Sequence, residues 1–71
     1  MNAREWIDAY AERLGTEPPS SEDWSTLLDL AAVAAHDSER VAAPISCWVA
    51  AKTGTPPAAA LQIARDINAG A

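Results

Sequence analysis

The stretch Ala34–Trp48, AAHDSERVAAPISCW, decides how the chain is divided, because it ends one helical pattern, breaks it and begins another. Upstream, Trp24, Leu27, Leu28, Ala31, Ala34 and Ala35 recur at helical spacing. Downstream, Val41, Ile45, Trp48 and Val49 resume a similar phase across Pro44. Proline lacks the N–H that would bond the carbonyl of Arg40, and it pushes Ala43 away from helical geometry. The expectation is a break or sharp kink between about Ser38 and Pro44, with Pro44 in the first turn of a new helix. One long bent helix is the alternative.

The same stretch gathers reactive residue types: the only His (His36), the only Cys (Cys47), Asp37 and Ser38. Helical geometry scatters them. Neighbours on a helix point roughly 100° apart, so His36 and Ser38 face nearly opposite ways and cannot make the Ser–His contact of an acyl-transfer triad. His36 and Cys47 share a face, yet in one unbroken helix they stand roughly 16 Å apart along the axis. A turn before Pro44 could fold them together, but no third group orients the pair as cysteine nucleophiles require. Beside Trp48, Cys47 reads as a small apolar filler. Arg40, one turn from His36 and Asp37, either bonds loose carbonyls and Asp37 at the helix end or joins His36 in contacting an anion.

Outward from the junction, the ends of the helices are written in local chemistry. Asn2 with Glu5 three residues on forms a capping-box pattern, and Trp6, Ile7, Tyr10 and Leu14 fall on one face of the helix that follows. Gly15 is its expected stop, and TEPPSS is a loop because Pro18 and Pro19 cannot continue a helix. Ser20 or Ser21 caps the second helix. The third ends near Lys52, stopped by Gly54; Thr55 followed by Pro56 starts a fourth, with Ala60, Ile63, Ala64 and Ile67 as its apolar face and Leu61 flanking. Asn68 to Ala71 is expected to fray. The reading is a single all-α domain over residues 1–71, a small bundle of about four short helices with a break or kink before Pro44.

Composition bounds the function. A 71-residue chain buries only about 60% of its unfolded surface, so its core is marginal unless well packed or shared with a partner. Seventeen residues are Ala, which favours helix but buries little area, so the bulk must come from three Trp, one Tyr and a few aliphatics, with no Phe. The three indoles are expected in the core; one left exposed on an Ala-rich surface, with Trp24 and Trp48 the candidates, would mark a protein interface.

A net charge of −5 with five scattered cations offers no footprint for nucleic acid or an anionic membrane surface. No run approaches a membrane span, the polar start MNAREW is not a signal peptide, and a lone Cys suits a cytosolic setting. One His and one Cys with scattered carboxylates do not make a metal site, and no cofactor is expected. Lys52-Thr53-Gly54 matches the K-T-G of penicillin-binding enzymes by chance, since no S-x-x-K or S-D-N accompanies it.

Trp6 with Tyr10, then Leu27-Leu28-Asp29-Leu30-Ala31, then Ala35-His36, Glu39-Arg40 and Ala43-Pro44-Ile45 form a pattern that covers the chain from Glu5 to about Gly54. It resembles a family of uncharacterised small actinobacterial helical proteins, found alone or attached to molybdopterin-guanine-dinucleotide nucleotidyltransferases. Where that pattern has Gly and Leu or Phe after the proline, this chain has Cys47, Trp48 and Ala50-Ala51. The family carries no catalytic residues to transfer; the resemblance implies an accessory to molybdenum cofactor maturation. The expectation is a non-enzymatic helical domain that binds a protein partner or a second copy of itself. The alternative is a small anion- or nucleotide-binding module using His36 and Arg40.

Overall fold

The structure, a computed structural model, describes residues 1–70. Its elements are α1 (Ala3–Leu14), α2 (Ser21–Asp37), α3 (Ala42–Lys52) and α4 (Pro57–Gly70), and the described residues contain no strand. The all-α bundle of four short helices is therefore the fold. The capping box at α1 is complete: Glu5 N–H donates to Asn2 Oδ1 at 2.8 Å and Asn2 N–H to Glu5 Oε1 at 3.1 Å. Ser20, not Ser21, caps α2, its Oγ accepting from Asp23 N–H at 3.1 Å.

Two helices end the same way. Gly15 at φ 78° closes α1, with Thr16 N–H donating to Ala11 O and Gly15 N–H to Glu12 O, both at 3.0 Å. Gly54 at φ 71° closes α3, with Thr55 N–H donating to Ala50 O at 3.0 Å and Gly54 N–H to Ala51 O at 3.1 Å. Each is a pair of bonds around a left-handed residue, a conformation that costs other residues a Cβ clash.

The second and third helices are separate, and the break is tighter than the sequence suggests. Helix α2 ends at Asp37, where Ser38 N–H and Oγ both donate to Ala34 O, and only Ser38–Val41 lie outside a helix. Pro44 is the third residue of α3, and Ala43 before it is helical after all. The proline ring clashes with the carbonyl four residues back, which here is Arg40, already in the turn and bonded instead by Ala43 N–H at 3.1 Å. At the other end of α3 the start of α4 shifts by one residue. Pro56 O accepts from Ala60 N–H at 2.9 Å, so Pro57 opens the helix, while the Thr55 hydroxyl pairs with Thr53 at 2.8 Å. Helix α4 extends to Gly70, and Ala71 lies outside the described residues.

Helix α2 is the element against which both α3 and α4 pack. Leu30 sits at the centre, 3% exposed, with Ala60 and Leu61 of α4; Leu27, Val33, Cys47, Ala50 and Ala64 pack around them. This corrects the expected phase. Leu28 is 60% exposed and Leu30, outside the predicted stripe, is buried. The apolar arc of α2 is broad because it serves two neighbourhoods: its Leu30 side meets α3 and α4, while Trp24 and Leu28 line a cleft with Ala3 and Ile7 of α1. On α4, likewise, Leu61 is core whereas Ile63 and Ile67 are mostly exposed.

No indole is buried. Trp6 and Trp48 are exposed and Trp24 is half-buried, against the expectation that they fill the core. The surfaces packed around Leu30 carry Ala50 of α3 and Ala60 and Ala64 of α4, so the core is built from small residues and the indoles lie outside it. Leu30→Ala is expected to cost about 2–5 kcal/mol, enough to unfold so small a domain, and Leu28→Ala under about 1 kcal/mol. Urea denaturation followed by circular dichroism checks the pair, and equal losses would restore the original phase.

Candidate functional site

The end of α2 presents His36, its side chain 90% exposed, with Nδ1 3.4 Å from Asp37 Oδ1. At that distance and exposure the pair contributes little. Ala32, Val33, His36 and Asp37 of α2 form an open recess with Arg65 of α4. Arg40, the sequence candidate, is exposed, does not line this recess, and makes no ion pair or side-chain hydrogen bond among the described residues. The fold thus sets a different arginine beside His36. Nothing local marked Arg65, which lies a full helix and two turns further along the chain.

The start of α3 is also a poor anion cradle. Ala42 N–H is bonded to Glu39 O at 2.9 Å, Ala43 N–H to Arg40 O, and Pro44 has no N–H to offer. Cys47 is half-buried beside the core cluster, in the role of small filler, and no hydrogen bond joins it to His36. Among the described residues no group of three His, Cys, Asp or Glu is placed to hold a metal ion.

The prominent surface is apolar and lies on α3. Ala43, Cys47 and Ala50 point one way on the helix, and Cys47 and Ala50 pack on the core. Val41, Ile45 and Trp48 point the other way and are exposed, Trp48 at 62%. Lys52, the only charged residue of the helix, lies over the Trp48 ring with Nζ 5.6 Å from its centroid. A helix apolar on every side is ordinarily a buried one; this one is covered on one side only. The apolar phase Val41, Ile45, Trp48 and Val49 expected from the sequence is thus the exposed one, because α3 offers apolar residues around its whole circumference.

Trp24, the other interface candidate, is in a different position. Arg4 of α1 lies over its ring, 4.4 Å from the centroid, and the indole forms a wall of the α1–α2 cleft. That contact ties α1 to α2 more than it presents Trp24 to a partner.

Residues 1–69 match the family described as Domain of unknown function (DUF6457). The chain belongs to the DUF6457 family. No curated protein and no solved structure matches it. This DUF6457 chain, uncharacterised in family and all-helical in fold, therefore takes its functional reading from its own surface. No helix of the described residues is long and apolar enough to cross a membrane.

Because Arg40 is exposed and without a partner, Arg40→Ala is expected to change stability by less than about 0.5 kcal/mol. In the same experiment series, millimolar inorganic phosphate is expected to leave the His36 ring resonances unmoved; a saturable shift lost in the Arg40 variant would establish the anion module instead.

Proposed function

We propose that this DUF6457 domain is a non-enzymatic helical interaction module that docks a protein partner on the outer face of α3, with Trp48 as the anchor. The observation that carries it is the exposure of Val41, Ile45 and Trp48 directly opposite the side of α3 that packs on the core. An exposed indole that ends an apolar strip, with the Lys52 ammonium over its ring, has the aromatic and aliphatic composition that interfaces favour. Trp24 contributes at the margin.

The lack of any hydrogen bond between Cys47 and His36 among the described residues, and the openness of the His36–Arg65 recess, favour docking over catalysis. The resemblance to proteins attached to molybdopterin-guanine-dinucleotide nucleotidyltransferases supports such an enzyme as the partner, with the domain acting as a cytoplasmic accessory in molybdenum cofactor maturation. Attachment in one chain and docking between two chains are the same contact at different effective concentration.

Trp48→Ala is expected to leave the melting of the isolated domain unchanged, because the side chain is exposed, and to weaken binding to the nucleotidyltransferase of the same organism by tenfold or more. Titration calorimetry reads the affinity. No binding by the unaltered domain overturns the molybdenum assignment, and binding indifferent to Trp48 overturns the α3 face.

A further inference from the structure

The chain exposes more surface than a closed domain of its mass. Its accessible area is 5424 Å² at 7.5 kDa, whereas folded monomers of that mass expose about 4,200 Å². Its radius of gyration is 12.7 Å, against about 11 Å for a compact chain of this length. The excess, about 1,200 Å², is the area one partner gives up in an obligate homodimer, where about 1,000 Å² or more is buried per chain.

Two apolar features lie on that surface. On α1, Ile7 and Ala11 turn toward the body of the protein, but Trp6, Tyr10 and Leu14 stand exposed beside them, the first two stacked with ring centroids 5.0 Å apart. Between α3 and α4 runs an open groove of about 340 Å³, with Leu30 and Ala60 at its base and Val49, Ile63 and Ile67 on its flanks. One is an apolar ridge on a helix of twelve residues, about 18 Å long. The other is an apolar trough between helices of similar length.

The geometry points to a two-fold homodimer in which the Trp6–Tyr10–Leu14 ridge of each protomer lies in the α3–α4 groove of the other. A helix laid into an apolar groove is a common recognition mode, and two-fold symmetry repeats the contact and closes the assembly. A chain of net charge −5 should resist meeting its copy, but the charge is divided. Residues 1–23 carry six carboxylates against two arginines, and residues 40–67 carry three cations against one carboxylate. The pairing of ridge with groove therefore sets the acidic part of one chain against the basic part of the other, whereas ridge on ridge would not. The pairing also brings a second layer of side chains over Leu30 and Ala60, extending a core that in one chain contains no large side chain removed entirely from water.

This inference shares the interaction reading above but uses a different face, so the two fail separately. Sedimentation from low micromolar to submillimolar concentration is expected to give about twice the chain mass of 7.5 kDa, and Ile63→Glu, at an exposed position, to give monomer with unchanged circular dichroism. Trp48→Ala is expected to remain dimeric. In a Cys47→Ala background, a mixture of Tyr10→Cys and Ile63→Cys chains is expected to form a disulfide-linked heterodimer under mild oxidation, with neither variant linking to itself. A monomer at every concentration, an open-ended polymer, self-linking of the Tyr10→Cys chain, or no link in the mixture each overturns the proposal.

Discussion

Leu30 is the side chain on which the bundle depends. It is the only large aliphatic of α2 taken almost wholly from water, and it is held there by Ala60 and Leu61 of α4, with Cys47 and Ala50 of α3 packed against the same cluster. Helices α3 and α4 thus converge on one residue of a shared support. That requirement explains the connections on either side. The four-residue break Ser38–Val41 must turn α3 back onto α2, and the Gly54 turn must return α4 beside it. A core of this size cannot tolerate error in those turns, and both are held by local backbone and hydroxyl hydrogen bonds.

The small residues on the inner faces follow from the same constraint. Ala50, Ala60 and Ala64 pack around Leu30, so the inner faces of α3 and α4 are small and carry no indole. Trp6, Trp24 and Trp48 are displaced to outer arcs, where two are covered in part by cations. Large apolar area is therefore moved from the interior, where it would stabilise the monomer, to the surface, where the proposed assembly would bury it. Ala-rich composition and exposed tryptophan are one fact about packing rather than two.

What could be read from the sequence was local. The capping box at Asn2, the glycine stops at Gly15 and Gly54, and the break before Pro44 each rest on residues within one turn of one another, and each is where it was expected. The burial phase of α2 could not be read that way. Leu27, Leu28, Leu30 and Ala31 support two overlapping stripes, and the choice between them depends on which neighbours arrive, which is information about α1, α3 and α4 together. The recess at the junction shows the same limit: His36 was found because it is unique, but its cationic neighbour is Arg65, brought from α4 by tertiary packing.

The stretch from Ala34 to Trp48 shows why residue types alone mislead. His36, Asp37, Ser38 and Cys47 are the ingredients of several catalytic groups, and their positions are set by the need to end α2 and begin α3. Ser38 uses its hydroxyl to hold the last turn of α2. Cys47 fills space beside Leu30. His36 projects into solvent. Once the turn has placed Cys47 and Ala50 inward, helical periodicity leaves Val41, Ile45 and Trp48 facing out, since those positions lie about half a revolution away. The junction acts through orientation, because it decides which face of α3 the core conceals and which face stays exposed.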